Sequence, residues 1–477
     1  MPLNSLIVFK SEDNTLHLVE LESWRNIAKF KETCSVKGGF TAHSSGNQIV
    51  SIDNGIPEIR IWKVLSEQTE TIPPNVPSGL FLKNLKLKDV RSLESLEISF
   101  DMPTDTTRKW TFLLGENACG KTTLLRSIAL LTSGQDAFLD LIGKNPGDWI
   151  RQGASFCQME ATILPLSGEV ITISIQIQRG QSKAEVWQSN LSELNKIDTI
   201  LKSKEESLFT FGFGCSRRLS RPQASAADER GSFDTDRANC VATLFDSEAR
   251  LYPLQKLALE LDFQSRKDGE RILRDNLSGL LQDTQFSHLD RENKRLIFQT
   301  GDGEIALEQL SDGYQSMTAW CGDLMFRVIQ SLGIESEPLQ QSGLILFDEI
   351  DLHLHPVWQR QLRRFLSEKL PNFQIIATTH SPLTAQQADE GELYIIQRES
   401  PQQSPALFRY EGNPRSLMIQ ELLTSTAFGV DSIYEERTRS LRKHYLDLKN
   451  KEDRSVREEA EFQNLIQQLG ELSKRQS

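Results

Sequence analysis

Leu344-Ile345-Leu346-Phe347 sets four apolar residues in a row directly ahead of two carboxylates, Asp348 and Glu349. An unbroken apolar run of this length predicts a strand buried on both faces, the habit of parallel sheets. The carboxylates then fall at the carboxyl edge of the sheet, where open α/β sheets bind ligands. One of them can hold a metal and the next can orient a water. That chemistry needs a phosphate nearby, and the chain supplies a cradle. Gly115-Glu116-Asn117-Ala118-Cys119-Gly120-Lys121-Thr122 follows the phosphate-loop pattern G-x-x-x-x-G-K-[ST]. Glycines at 115 and 120 let backbone N–H groups approach phosphate oxygens without a Cβ in the way. Lys121 is expected to reach the β and γ phosphates, and the Thr122 hydroxyl to bind Mg2+. Trp110–Leu114 reads as a buried strand entering the loop and Thr123–Leu131 as an apolar helix leaving it, the context such a loop needs.

Two further stretches belong with these. In Leu310-Ser311-Asp312-Gly313-Tyr314-Gln315, Ser311 is a good N-cap, and Met317, Cys321, Leu324 and Val328 give the next helix an apolar face. A helix amino terminus carrying Ser and Gly is an anion site. Thr378-Thr379-His380-Ser381-Pro382 follows the apolar strand Gln374–Thr379, so His380 stands where a γ phosphate can be hydrogen-bonded. His353, His355 and His380 offer a zinc site no evident fourth ligand.

With 477 residues the chain has room for two or more modules. Residues 1–72 read as a small all-β module, with strands at Leu6–Phe9, Leu16–Leu21, Gln48–Ile52 and Ile59–Val64. The run from Ser51 to Lys63 resembles a WD-repeat strand pair, the alternative being a plain sheet or sandwich. Residues 73–79 form a linker rich in proline, 80–425 a nucleotide-binding domain with a helical lobe at about 134–330, and 426–477 a charged helical tail. Pro222–Asn239, rich in Ala, Ser, Asp and Gly, is expected to be mobile. Cys34, Cys119, Cys157, Cys215, Cys240 and Cys321 form no C-x-x-C pair, which argues against a zinc ribbon or disulfide framework. The amino terminus lacks a basic start and apolar core, and no apolar run nears the roughly 18 residues of a membrane span. A cytoplasmic protein without a membrane partner is therefore expected. A net charge of -12 weakens any attraction for nucleic acid over the whole surface and leaves room for a local basic patch.

In this order the four stretches resemble the motifs of ABC-type ATPases of the RecF, SMC and overcoming-lysogenization-defect kind, over about residues 80 to 425. The resemblance implies an α/β fold: a P-loop ATPase with a mixed or parallel sheet and a helical signature lobe. It makes Gly115, Glu116, Asn117, Ala118, Cys119, Gly120, Lys121, Thr122 and Thr123 the ATP-binding Walker A segment, and Asp348-Glu349 the Walker B pair. Ser311 and Gly313 become the signature residues acting in trans, and His380 the switch histidine. Asp351 falls where the D-loop begins. Catalysis is then assigned to Glu349 and His380, and Mg2+ to Thr122 and Asp348. Gln158 is the candidate for the remaining metal-shell glutamine, a plain surface glutamine being the alternative.

Phe211-Gly212-Phe213-Gly214-Cys215-Ser216-Arg217-Arg218, Thr243-Leu244-Phe245-Asp246 and Leu422–Gly429 are similar to segments of the ATPase subunit of Septu-type and retron-associated anti-phage systems. This likeness implies an ATP-hydrolysing homodimer or higher oligomer that controls a separate HNH nuclease, with nucleic acid a possible partner. The amino-terminal β module departs from that pattern, as does Tyr314, where many ABC proteins carry glycine. The alternative is a RecF-like DNA-clamping ATPase with Arg217, Arg218 and Arg221 on DNA phosphates; those arginines read equally as loop anchors or acid partners. A transporter subunit and a non-enzymatic adaptor built on the β module fit the tail and the motifs less well.

Overall fold

The computed structural model describes residues 81–428 apart from 102–106, 166–168, 202–208, 220–232, 265, 278–283, 334–336, 399 and 401. Outside that span it describes strand backbones between residues 6 and 63 and scattered positions between 444 and 465. The chain divides into two compact units, Met1–Val76 and Pro77–Ser477.

In the first unit, Leu6–Lys10, Thr15–Glu20 and Arg25–Lys31 form one antiparallel meander. Phe40–Ala42, Gln48–Ile52 and Ile59–Lys63 form a second. The described strands thus make three-stranded sheets, where a WD-type blade has four strands.

The second unit is laid out along the chain as β1 (Phe81–Val90), β2 (Leu93–Ser99), β3 (Trp110–Gly115), α1 (Lys121–Thr132), β4 (Phe156–Leu164) and β5 (Ile171–Gln178). Then come β6 (Phe209–Phe213), α2 (Asp312–Leu332), β7 (Gly343–Phe347), β8 (Phe373–Thr379), β9 (Leu393–Gln397) and β10 (Ala406–Arg409). Helices Leu254–Gln264 and Arg266–Leu277, with a meander of Gln285–Asp290, Arg295–Thr300 and Gly303–Ala306, fill the lobe before α2. The polar stretch after β5 is helical, at Lys183–Ser189 and Leu191–Leu201. Asp236–Asn239, inside the segment expected to be mobile, forms a helical turn. The tail helices expected within 426–477 lie largely outside the described residues.

The central sheet runs β6-β7-β8-β3-β9-β10. Its first five strands are parallel and β10 closes the edge antiparallel. Both faces of β7 are covered, because successive side chains point to opposite sides of a strand. Ile345 and Phe347 pack in the core with α2, while Leu344 and Leu346 pack in the core with α1 and the antiparallel sheet β5-β4-β1-β2. Fully buried Gln374 on β8 ties the two sheets. Its Oε1 accepts from Leu82 N at 2.8 Å and its Nε2 donates to Leu82 O at 3.0 Å. The consequence for function is positional. The P-loop leaves β3, Asp348 leaves β7 and His380 leaves β8, all at one carboxyl edge, with β8 lying between the other two. Among the described residues no helix is long and apolar enough to cross a membrane.

Candidate functional site

Between β3 and α1 the backbone turns through left-handed conformations at Ala118 (φ 61°) and Gly120 (φ 102°). A Cβ on Gly115 would meet the Ile396 carbonyl oxygen at 2.2 Å, and one on Gly120 would meet Leu93 Cδ2 at 2.8 Å. Packing therefore demands these glycines as much as phosphate access does. Glu116, Asn117 and Ala118 are exposed at the tip, whereas Cys119 and Thr123 are buried beneath it. Lys121 is buried too, and its Nζ donates to the carbonyls of Gly115 at 2.7 Å and Glu116 at 2.8 Å.

Thr122 and Asp348, far apart in sequence, meet here. Thr122 Oγ1 donates to Asp348 Oδ2 at 2.6 Å, and Thr378 Oγ1 donates to Asp348 Oδ1 at 2.7 Å. Hydroxyl and carboxylate oxygens are the hard donors Mg2+ takes, so this pair fits the metal expected of it. Glu349 follows in the left-handed region at φ 52°. Its N–H donates to Thr378 Oγ1 at 2.7 Å. Thr379 Oγ1 donates to buried Asp351 at 2.6 Å. His380 lies in the field of the same groups. Partial burial and then the Lys121 charge hold its imidazole below the ordinary pKa, against the opposing pull of Glu349, Asp351 and Asp348. It is therefore neutral near pH 7 and keeps both a donor and an acceptor nitrogen.

Arg217 was open to several roles in the sequence; its geometry selects one. Nη2 donates to the backbone oxygens of Asp348 at 2.7 Å and Glu349 at 2.6 Å, and Nη1 to that of Ile350 at 3.4 Å. Nε donates to Gly214 O at 3.1 Å, and the guanidinium lies 5.6 Å from the Phe347 ring centroid. Burial lowers its pKa to about 10, so it stays charged at neutral pH. Arg217 is thus a loop anchor inside the fold. The Arg218 side chain and Arg221 lie outside the described residues.

The two segments Phe211–Arg218 and Thr243–Asp246 turn out to pack on each other. Thr243 Oγ1 donates to Gly212 O and accepts from Gly214 N, each at 3.0 Å. A Cβ on Gly214 would lie 2.0 Å from Thr243 O, a backbone atom that cannot swing away. Gly214→Ala is expected to destabilise the domain by roughly 1–3 kcal/mol, the usual penalty of overpacking, read as a lowered midpoint in thermal denaturation. Arg126 of α1 donates from Nε to Leu244 O, which ties the P-loop helix to the same segment.

Ser311 is exposed at the start of α2, and its side chain caps no backbone N–H. Gly313 is buried; a Cβ there would meet His353 O at 2.8 Å. Tyr314 accepts from Trp358 Nε1 at 3.2 Å, and the two rings meet edge to face. The start of α2 therefore rests on the loop after β7 of its own chain. Among the described residues no hydrogen bond joins Ser311 or Gly313 to Lys121, Thr122 or Asp348. Gln158 is placed elsewhere: mid-β4, its Nε2 donates to Ser174 Oγ at 3.0 Å on β5. Among the described residues no hydrogen bond joins it to Thr122 or Asp348. The residues sequence reasoning left without a role are Thr378, which bridges Asp348 and Glu349, and Thr243. Thr378 carried a signal, since it sits beside His380 at the end of the same apolar strand.

Two family models, both of AAA domains, match consecutive stretches. One covers residues 84–210. The other, described as AAA domain, putative AbiEii toxin, Type IV TA system, covers residues 209–385. The chain is similar to the Septu protein PtuA of Bacillus mycoides (strain KBAB4), 25% identical over 83% of this chain and 51% of that protein. It is also similar to the Septu protein PtuA of Bacillus thuringiensis, 26% identical over 66% of this chain and 76% of that protein. The Retron Vc95 probable ATPase of Vibrio cholerae is 38% identical over a shorter stretch, 20% of this chain and 18% of that protein. The chain thus spans about half the length of the first of these relatives, and about a fifth of the retron one. Similar solved structures include the SMC head bound to the C-winged helix domain of ScpA, with TM-score 0.40 and 14% identity over 69% of this chain and 98% of that one. Another is the SMC head domain from Thermotoga maritima, with TM-score 0.38 and 15% identity over 69% of this chain and 99% of that one.

Proposed function

We propose that the chain is a P-loop ATPase of the ABC type, related to the Septu and retron ATPases, which hydrolyses ATP at sites shared between two copies and thereby regulates a separate nuclease in anti-phage defence. The observation that supports this most is the meeting of Thr122, Asp348, Thr378 and Glu349 at one sheet edge beside Lys121 and His380. In this reading Lys121 and the loop N–H groups bind the phosphates, and Thr122 and Asp348 hold Mg2+, whose charge offsets that of the transferred phosphoryl group. Glu349 orients the attacking water and accepts its proton. Neutral His380 hydrogen-bonds the γ phosphate. Ser311, exposed and free of a capping role, is offered to the nucleotide of a second copy. The engagement of Arg217 by three carbonyls weakens the DNA-clamping alternative, which needed that guanidinium for DNA phosphates.

Ser311→Arg is expected to leave ATP binding by the single chain intact while abolishing ATP-dependent dimers in light scattering. Turnover should fall by about 10²-fold, the worth of a lost donor to the developing charge. The defence role is tested by phage plating of cells that carry the gene in its native genomic setting. Protection that survives Lys121→Ala would contradict it.

A further inference from the structure

Arg217 lies outside the four motifs, yet among the described residues every hydrogen bond of its side chain converges on the catalytic strand end or the turn that faces it. Its fork takes the carbonyls of Asp348, Glu349 and Ile350, three successive residues, and its Nε takes Gly214. Three carbonyls aimed at one cation fix three successive peptide planes. The middle one belongs to Glu349, a non-glycine residue held at φ 52°. Residues in that region persist when their surroundings over-determine them. Here the N–H of Glu349 is held by Thr378 and its carbonyl by Arg217, so the residue is clamped on both sides. The clamp is itself braced: Asp348 N donates to Phe213 O at 2.8 Å, and Thr243 locks Gly212 and Gly214 on the Arg217 side.

We propose that Arg217 is a positioning residue for hydrolysis, whose guanidinium holds the Glu349 backbone in its left-handed conformation so that the carboxylate faces the nucleotide. This rests on the ATPase reading above. A planar fork is needed, because a lysine ammonium offers one point charge on a flexible stem and cannot span three carbonyls in fixed register.

The test uses the full chain with Arg217→Ala and Arg217→Lys, measuring ATP turnover, equilibrium binding of a fluorescent ATP analogue, and thermal midpoint. Arg217→Ala is expected to lose about 10²-fold in kcat, as for a reacting group displaced by about 1 Å, with nucleotide affinity unchanged. Millimolar guanidinium should restore part of that loss, and Arg217→Lys should recover only a fraction of it. Wild-type kcat in Arg217→Ala, or kcat and affinity falling together without guanidinium rescue, would overturn the proposal. Should Arg217→Ala fail to fold, Arg217→Lys decides: a kcat loss at unchanged affinity supports the role, and wild-type kcat overturns it. A wild-type chain with no ATP turnover would sink the ATPase reading and this proposal together, whereas an active wild type with an equally active Arg217→Ala would sink this proposal alone.

Discussion

Glu349→Gln is expected to bind ATP as tightly as the wild-type chain while its turnover falls by about 10²–10⁴-fold, the usual worth of a positioned general base. The amide is nearly isosteric with the carboxylate. The contacts that hold residue 349 are made by its backbone, N–H to Thr378 and carbonyl from Arg217, so the left-handed turn survives the change. What disappears is the proton acceptor. Loading without hydrolysis should then accumulate an ATP-bound dimer, visible as a larger species in size-exclusion chromatography with ATP and absent with ADP. Equal turnover for the variant and the wild type would refute the role of Glu349.

Lys121→Ala is expected to lose ATP binding, by about 10²-fold or more in Kd. A charge-assisted hydrogen bond contributes about 1.5–3 kcal/mol, and the attraction of the ammonium for the triphosphate goes with it. In the structure the ammonium is buried in the loop and held by the Gly115 and Glu116 carbonyls, so it is pre-placed at the phosphate cradle. A second readout follows from its charge. Burial is the first cause of the depressed His380 pKa and Lys121 the second, with Glu349, Asp351 and Asp348 opposing them. Removing the ammonium should therefore raise the His380 pKa, measurable by NMR titration of the imidazole. Unchanged ATP affinity in a calorimetric titration would count against the whole site.

The parts of this site legible in the sequence are those whose signal is local. An apolar run ending in carboxylates gave β7, and a spaced glycine loop between strand and helix gave the turn into α1. Arg25–Lys31 is harder to read as a strand, since Arg25, Asn26, Lys29 and Lys31 dilute its apolar alternation. Long-range contacts leave no such trace. Arg217 reaches Asp348 across more than a hundred residues, and nothing in a run of arginines separates a guanidinium facing carbonyls from one facing solvent. The placement of Gln158, by contrast, follows from a local pattern. Cys157, Met159, Ala161 and Ile163 are buried in alternation along β4, which sets Gln158 on the other face with Glu160 and Thr162. Gly313 has a packing reason of its own, because His353 O leaves no room for a Cβ.

The central claim is that each ATP is completed by residues from two copies of the chain, and mixing two inactive variants tests it most directly. Lys121→Ala and Ser311→Arg are each expected to be nearly inactive alone. In a mixed two-fold dimer one site receives both lesions and the other receives Lys121 from one copy and Ser311 from its partner. Because neither variant pairs productively with itself, equimolar mixing should restore turnover well above the mean of the separate variants, up to a bound of one working site of the two in each mixed dimer. Turnover in the mixture no greater than the mean of the separate variants would contradict the shared site.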